Sequence, residues 1–451
     1  MDHDISQLRF IDASPTKELF IYMLIKDITL NDAIGDLIDN CVDGALSLRP
    51  KKDYRGLAIK IHIDNESFTI EDNCGGISVD TARNYAFRFG RTPEMPSIKG
   101  SLGQFGIGMK RALFKIGRSF EITSVWKKSY FKVGVNVDEW KKEISTWNFE
   151  FQEIKELGPK EKDNPEKKRG TKIYIAHLYK DIKDRFELDS FINALIKEIE
   201  LEQLANIDRG LSIEINGIQL KSHQLHIIDS EQYRPGYWEH QFPTGLKVKA
   251  IVGVSEHNLD YGGWYIFCND RMIYGHEQTI ISGWGAQKPS SIPKYHGQYD
   301  RFRGYVYFEA EDTSWLPWNT SKNNMDIDSP TYRFVQQNMI TLMRPVIDFL
   351  NKLHTEAQKP DQEEKPLIAS LEASTANSIP VSKVFKKASS LPSAFTFPSP
   401  KSQKKSTSET LISYRRNNEK VNKAKKVLGV NSAQEVGERT FDYFFDNECE
   451  D

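Results

Sequence analysis

The segment that decides the fold is Gly100-Ser101-Leu102-Gly103-Gln104-Phe105-Gly106-Ile107-Gly108-Met109-Lys110-Arg111-Ala112. Its glycines precede residues with helical spacing, so we predict a glycine-rich loop that opens a helix. Such a loop presents unpaired backbone N–H groups to a phosphate, and the helix dipole adds positive potential. The segment is not a P-loop, because no Gly-Lys-Ser/Thr ends it. It also lacks the preceding strand of a Rossmann unit.

A polar helix face lies upstream of this loop. Asp36, Asn40 and Asp43 are three and four residues apart within a segment whose apolar residues have helical spacing, so the three side chains share one face. By itself this pattern is more typical of a solvated helix face than of a site. Whether this helix face belongs to a functional site therefore depends on the other segments.

Two further segments have weak signals of their own. Glu71-Asp72-Asn73-Cys74-Gly75-Gly76 follows a predicted strand, and paired glycines let a backbone approach a ligand closely, although an ordinary turn has the same composition. Gly170-Thr171 enters another predicted strand and indicates nothing by itself.

The order and spacing of the four segments together are far more specific. They resemble the GHKL ATPase superfamily, which includes gyrase B, the heat-shock chaperone ATPases, MutL, MORC proteins and sensor histidine kinases. The resemblance covers residues 20–180 and implies ATP and Mg²⁺ as cofactors. By this resemblance, the helix with Asn40 holds magnesium, the segment from Asp72 to Gly76 is the adenine loop, and the segment from Gly103 to Gly108 binds phosphates.

The resemblance also implies roles for single residues. Asn40 would coordinate Mg²⁺ through its amide oxygen, a hard ligand for a hard cation. Asp72 would accept a hydrogen bond from the adenine amine, with support from Thr171, and Asp43 would contact the adenine side. Lys110 would add positive charge near the phosphates, against the alternative of an exposed surface lysine. The remaining nucleotide contacts would come from the loops: Gly76, Gly103, Gln104, Phe105, Gly106, Ile107, Gly108 and Met109. Residues 87–98 would form a lid over ATP.

Two departures from the family pattern affect the chemistry. Hydrolysing members have Glu where this chain has Asp36, the candidate general base. Aspartate is one methylene shorter, and a displacement of about 1 Å can cost ~10²-fold in rate, so we expect slow hydrolysis or a bridging water. Asp39 is one helical position off and is a poorer candidate. Cys74 replaces a common glycine, and Gly75-Gly76 would restore the flexibility.

The predicted fold class is α+β, with an N-terminal Bergerat α/β sandwich, in which helices cover an antiparallel-rich mixed sheet, and an α/β transducer-like domain. The domains expected are 1–205 for ATP binding, 206–358 for the transducer, 359–412 as a disordered Ser/Pro/Lys-rich linker, and 413–451 as a helical and acidic tail. The main helices expected are 30–48, 108–116, 188–204 and 331–353. Strand 212–215 is assigned to the second domain.

The second domain narrows the choice within the superfamily. Gly263 to Ile273 looks like the strand-turn-strand of MutL and MORC transducers. Trp318 to Met325 resembles the loop that sends a lysine to the γ-phosphate. Lys322 is therefore the candidate sensor, and it joins Asp36 as a catalytic residue. The alternative is a loop lysine in water.

Composition and charge restrict the classes of protein to which this chain can belong. The net charge is −2, so nucleic-acid contact would need a local patch. The four cysteines have no metal-ligand spacing, the N-terminus lacks a signal-peptide core, and no apolar run approaches the ~18 residues of a membrane span. We therefore expect a soluble, cytoplasmic protein without a membrane partner.

The function expected is a MORC-like or MutL-like ATPase that dimerises on ATP and acts as a clamp in DNA-related, repair or antiviral defence processes. Residues before Leu30 would strap across the partner subunit. The basic segment 415–426 would contact DNA or a DNA-acting protein, and a solvated linker is the alternative. The alternatives in function are a non-hydrolysing nucleotide-dependent scaffold, a histidine-kinase-like protein and a chaperone-like ATPase.

Overall fold

The computed structural model describes residues 14–90, 98–103, 106–127, 129–156, 169–360, 364–398, 412 and 414–449. The chain divides into two compact units, Met1–Pro398 and Ser399–Asp451. Two sheets form the framework of the first unit.

The first sheet has eight strands among the described residues. They are β1 (Ala58–Ile63), β2 (Ser67–Asp72), β3 (Gly117–Trp126), β4 (Ser129–Asn136), β5 (Phe151–Glu156), β6 (Gly170–Leu178), β7 (Ser212–Ile215) and β8 (Ile218–Gln219). The order is β5-β4-β3-β6-β2-β1-β7-β8, and every neighbouring pair is antiparallel except β1 with β7. This confirms the antiparallel-rich mixed sheet.

Helices cover one face of this sheet. They are α1 (Lys17–Lys26), α2 (Leu30–Leu48), α3 (Gly108–Ile116), α4 (Val137–Lys142), α5 (Lys180–Phe186), α6 (Asp189–Glu202) and α7 (Leu204–Asp208). Strand β1 buries Ile59, Ile61 and Ile63 but exposes Lys60 and His62, as a sheet with one covered face requires.

Local chemistry determines where α2 begins. The Thr29 hydroxyl accepts a hydrogen bond from the Asp32 backbone, and the Asp32 carboxylate accepts one from the Thr29 backbone. This capping box satisfies two donors that a helix start leaves unpaired. Helix α2 then buries its apolar stripe and turns its polar residues toward the site described below.

Strand β7 corrects the sequence-based assignment. We expected it in the second domain, but it pairs in parallel with β1, with Ile59 opposite Ile213. Ile213 and Ile215 are fully buried and extend the core of the first sheet. A four-residue apolar strand carries no local sign of the sheet it joins, so its pairing depends on tertiary structure.

In the described part of the chain, the second sheet has five strands, β10 (Gly236–Gln241), β11 (Lys247–Val254), β12 (Gly263–Cys268), β13 (Arg271–Glu277) and β14 (Phe302–Glu309). Their order is β10-β11-β14-β12-β13. The long helix α8 (Pro330–Ala357) packs on one face. Every residue of β12 is buried, which indicates that the other face is covered as well.

Part of the cover on that other face comes from the segment expected to be a disordered linker. Residues 364–398 contain α9 (Pro366–Ser374), β15 (Ser378–Pro380) and α10 (Val381–Phe385), and β15 pairs with β9 (His226–Ile228). Val381 and Val384 are buried against Tyr265 and Tyr305 of the sheet. The expectation of disorder is thus wrong for 364–398, because a few apolar residues outweigh the polar composition. Residues 399–411 lie outside the described part of the chain.

The second unit confirms the helical tail. It contains α11 (Asn418–Leu428) and α12 (Ala433–Glu448). Throughout both units, none of the described helices has the length and apolar character needed to cross a membrane.

Candidate functional site

A cavity of about 450 Å³ opens between α2, the adenine loop and the start of α3. All the site residues expected from the sequence that the structure describes line it. These residues are Asp36, Asn40, Asp43, Asp72, Gly76, Gly103, Gly106, Ile107, Gly108, Met109, Lys110, Thr171 and Lys322. Gln104 and Phe105 lie outside the described residues. The folding of the chain therefore brings segments separated by hundreds of residues to one site.

The predicted lid is only partly described. Residues 91–97 lie outside the described range, and so do residues 1–13 of the predicted strap. Ala86, which directly precedes the predicted lid, and Ile98, which ends it, both line the cavity.

Asp43 holds the first residues of the glycine-rich loop. Its carboxylate accepts hydrogen bonds from the backbone N–H of Leu102 at 2.6 Å and of Gly103 at 2.8 Å. Burial raises the pKa of Asp43 to about 7, although the Leu102 N–H opposes this shift. The expected adenine contact of Asp43 stays a prediction, and its contacts in the structure are with the loop.

Asp72 lies at the end of β2 in the wall of the cavity. Its carboxylate accepts a hydrogen bond from the backbone N–H of Cys74 at 2.6 Å. Burial raises the pKa of Asp72 to about 6, and hydrogen bonds from the backbones of Cys74 and Thr171 and from the Cys41 thiol oppose the shift. The expected support of Asp72 by Thr171 stays a prediction, and it agrees with the lowering effect of the Thr171 backbone on this pKa.

Ser124 of β3 contacts two residues that line the cavity, Ile77 and Thr171, and no sequence pattern pointed to it. Its hydroxyl lies 3.0 Å from that of Thr171 and accepts a hydrogen bond from the Ile77 N–H at 2.7 Å. Ser124 is buried. It links the adenine loop to β6, which is a position that only strand pairing reveals.

Two glycines allow these strands and the loop to meet. A Cβ on Gly170 would lie 1.8 Å from the Asp72 carbonyl oxygen, and a Cβ on Gly76 would lie 2.0 Å from that of Val125. Gly76 also has φ of 71°, which favours glycine. Any side chain at either position would separate the segments that form the cavity wall.

The first turn of α3 faces the cavity. Ile107 precedes the helix and has no side-chain group that can cap it, so backbone N–H groups of the first turn remain available to a ligand. Gly108 lies so close to α2 that a Cβ there would be 2.9 Å from Asp36 Cγ. The helix start and the acidic face of α2 are therefore in direct contact.

Lys110 is buried, so the alternative of an exposed surface lysine is wrong. Its ammonium group donates to the carbonyl oxygens of Gly106 and, at 3.1 Å, Ala86. Desolvation lowers the pKa of Lys110 to about 7. The lysine links Ala86 and Gly106, which both line the cavity, and a contact with phosphate stays a prediction.

Asp36 is buried between two cations. Nη2 of Arg111 lies 2.7 Å from its Oδ2, and Nζ of Lys322 lies 3.1 Å from its Oδ1. Lys322 is 6% exposed, so the alternative of a loop lysine in water is wrong. Both carboxylate oxygens have charged partners, which limits their availability to a water molecule.

Asp39 is the centre of a second group of ion pairs, although the sequence suggested only a minor role for it. Its carboxylate receives Lys322 Nζ at 2.8 Å, Arg271 Nη1 at 2.6 Å and Gln203 Nε2 at 3.1 Å. Burial acts to raise the pKa of Asp39, but Arg271 and Lys322 hold it below its usual value. Arg271 also pairs with Glu202 at 3.1 Å.

Sequence reasoning singled out Lys322 but missed the other partners of these carboxylates, Arg111, Arg271 and Gln203. Arg111 lies within the glycine-rich segment and was quoted there without a role. Arg271 is 232 positions from Asp39 in the chain, and Gln203 is 164 positions away. No local pattern links residues at such separations.

The cavity fits a magnesium ion held by one protein ligand. Asn40 is exposed and lines the cavity, so its amide oxygen can face a ligand there. Across the described residues, no group of three or more His, Cys, Asp or Glu side chains could hold a metal. Mg²⁺ commonly takes one or two protein oxygens together with phosphate oxygens and water, which matches this donor set.

Residues 28–168 match the family model described as histidine kinase-, DNA gyrase B- and HSP90-like ATPase. The match includes the acidic helix, the adenine loop and the glycine-rich loop, and it supports the GHKL superfamily for this segment. ATP binding and, more generally, ATP hydrolysis are the activities of that superfamily, usually with Mg²⁺. No curated protein matches the chain.

Proposed function

We propose that the cavity binds ATP with Mg²⁺ and that the bound γ-phosphate controls the contact between the loop 318–325 and helix α2. One observation carries this proposal. Segments that resemble the four nucleotide-binding motifs line a single cavity of about 450 Å³, a size that suits a ligand of this class.

Each part of the nucleotide has residues of the cavity lining that suit it. Asp72, supported by the Thr171 backbone, is the acceptor for the adenine amine. The backbone from Gly103 to Gly108 and the first turn of α3 would receive the phosphates. Asn40 would hold Mg²⁺. This arrangement puts the γ-phosphate near Asp36 and Lys322, since both line the same cavity.

The γ-phosphate would compete for Lys322. In the structure, this lysine pairs with Asp36 and Asp39, and its loop is also held through Thr320, whose carbonyl accepts a hydrogen bond from Arg111 at 3.1 Å. A phosphate is a strong partner for an ammonium group. Transfer of Lys322 to it would leave Asp36 with Arg111 alone, better able to act as a base on water, and would alter the contact between the domains.

The wider role in this proposal is an ATP-dependent dimeric clamp of the MORC or MutL type that acts on DNA or with a DNA-acting protein in repair or genome defence. Support comes from the resemblance of the second domain and from the basic, exposed helix α11. Analytical ultracentrifugation with and without a non-hydrolysable ATP analogue tests the dimer, and binding to duplex DNA at two salt concentrations tests the cargo.

A non-hydrolysing scaffold is the second candidate. It is favoured by the two ion pairs that occupy the Asp36 carboxylate. In this case ATP would still bind and shift Lys322, but phosphate release would not exceed background.

Calorimetry with Mg-ATP tests the binding proposal. Asn40→Ala and Asp72→Asn should each weaken binding at least about tenfold, the loss expected for a hydrogen bond to a charged group. Glu71→Gln is the matched control for Asp72, because Glu71 precedes it in β2 but its side chain is exposed and lies 4.0 Å from Lys172. Asn65→Ala, in the exposed β1–β2 turn, controls for Asn40. Unchanged affinity in both site variants contradicts the proposal.

A further inference from the structure

Two cations from the second domain reach the same carboxylate of α2. Lys322 comes from the loop 318–325, and Arg271 is the first residue of β13, directly after the turn from β12. They differ in their second partner and in their access to the cavity. Lys322 is shared with Asp36 on the cavity side, whereas Arg271 also pairs with Glu202. Only Lys322 lines the cavity.

The position of Arg271 is tightly determined. Asn269 and Asp270 have φ of 46° and 72°, as the two central residues of a type I′ turn require, and Arg271 follows as the first residue of β13. Its guanidinium passes close to α2 at Gly35, where a Cβ would lie 3.3 Å from Nη2. Arg271 is 1% exposed.

The same turn is held by a second set of ion pairs. Asp270 receives Nη1 of Arg209 at 2.6 Å and Nζ of Lys52 at 2.5 Å. These contacts attach the turn to the first domain independently of Arg271. The arginine therefore stays beside Asp39 when Lys322 moves.

This arrangement keeps both buried carboxylates paired with a cation when Lys322 leaves. A buried carboxylate that loses its only cation is strongly destabilised. If Lys322 moves to a phosphate, Asp36 keeps Arg111, and Asp39 keeps Arg271 and Gln203. Both carboxylates then retain a partner, so the transfer of Lys322 leaves neither of them as an unpaired charge.

We propose that Arg271 is a positioning residue, the fixed counter-ion of Asp39 that allows Lys322 to transfer between Asp39 and the terminal phosphate of a nucleotide. This inference rests on the proposed ATP binding. Without Arg271, Asp39 has Lys322 as its one remaining cation and retains it. ADP binding does not need the transfer, because ADP has no γ-phosphate.

The test compares Arg271→Met with wild type in the full chain. We expect kcat for ATP to fall about 10- to 100-fold, as for a displaced catalytic group, while ADP affinity by calorimetry stays within about twofold. The double variant Asp39→Asn/Arg271→Met should recover at least part of the lost kcat, because the asparagine amide has no charge with which to hold Lys322. Arg271→Met that keeps wild-type kcat, or a double variant no more active than Arg271→Met, overturns the inference.

Two further variants separate positioning from folding. Arg209→Met removes one ion pair of the same turn, but Lys52 still holds Asp270 and Arg271 still pairs with Asp39. It should therefore lower kcat far less than Arg271→Met does. An equal loss would mean that Arg271 only joins the domains, which contradicts the inference. Asp39→Asn alone should raise the affinity for a non-hydrolysable ATP analogue relative to ADP, and a fall contradicts the inference even if Arg271→Met does not fold. Wild-type protein that binds neither nucleotide contradicts the proposed function itself.

Discussion

The carboxylate of Asp43 accepts a hydrogen bond from the backbone N–H of Gly103 at 2.8 Å, so α2 holds the start of the glycine-rich loop directly. The same helix carries Asn40 at the cavity and also Asp36 and Asp39, which both pair with Lys322. A single helix thus connects the metal ligand expected from the sequence, the loop and the second domain. Changes in any one of them should affect the others through α2.

Asp43→Asn should weaken ATP binding about tenfold and leave adenosine binding within about twofold. The substitution replaces charge-assisted hydrogen bonds to Leu102 and Gly103 with weaker ones, which loosens the loop expected to hold phosphates. Calorimetry with both ligands measures the difference. Asp53→Asn, which affects a partly exposed carboxylate paired with Arg55, is the control. Equal losses for ATP and adenosine would mean that Asp43 acts on the adenine instead.

Adenosine affinity should depend on pH through Asp72. Its pKa of about 6 means that the carboxylate is mostly protonated below pH 6, so it can no longer accept a hydrogen bond from the adenine amine with both oxygens free to do so. We expect affinity to be flat from pH 7 to 8 and to fall about tenfold per unit below pH 6, since one proton is linked to binding. Adenosine is used because phosphates titrate in the same range.

The sign of the stability effect at Asp72 is opposite to that of a salt-bridged carboxylate. Because burial raises its folded pKa above the usual value of 3.8, its contribution to stability is greatest below pH 3.8 and is lost as pH rises through 6. Asp72→Asn should remove both effects, giving weak adenosine binding with no dependence between pH 5.5 and 7.5. A wild-type affinity that is constant over this range contradicts the assignment.

Gly108→Ala should destabilise the protein by about 1–3 kcal/mol, because the new Cβ would lie 2.9 Å from Asp36 Cγ and displace either α3 or the buried ion pairs. Thermal unfolding measures the loss, and ATP turnover should fall with it. Gly437→Ala in α12 is the control, since nothing lies within 4 Å of its Cβ and alanine favours a helix by about 0.5–1 kcal/mol. Similar unfolding temperatures for Gly108→Ala and wild type would show that the contact with Asp36 is easily relieved.

Turnover should depend on the residue at position 36. Asp36→Asn removes the candidate base and should lower phosphate release at least about 10²-fold. Asp36→Glu restores the longer side chain of the hydrolysing family members and should raise release above wild type. A coupled phosphate assay with Mg-ATP distinguishes the three proteins. If neither wild type nor Asp36→Glu releases phosphate, the chain is the non-hydrolysing scaffold.

The fold was predictable where short-range interactions set the boundaries. Helices α2 and α3 begin and end where the sequence indicated, because the Thr29–Asp32 capping box and the glycine-rich loop define their starts. Strand β7 and the segment 364–398 were assigned wrongly. In both, buried apolar residues find partners far along the chain, and pairing of this kind leaves no local pattern.

By itself, the amino-acid sequence indicated which segments line the cavity, because their order and spacing resemble the motifs of the GHKL superfamily. Only the tertiary structure decided which charged side chains lie next to these segments. Lys322 lies 283 positions from Asp39, and Arg271 lies 232 positions from it, yet both share its carboxylate in the buried interior. Burial strengthens the Coulomb attraction between such charges. The charge and partners of a buried carboxylate therefore depend on distances in space, which cannot be read from the spacing of residues in the chain.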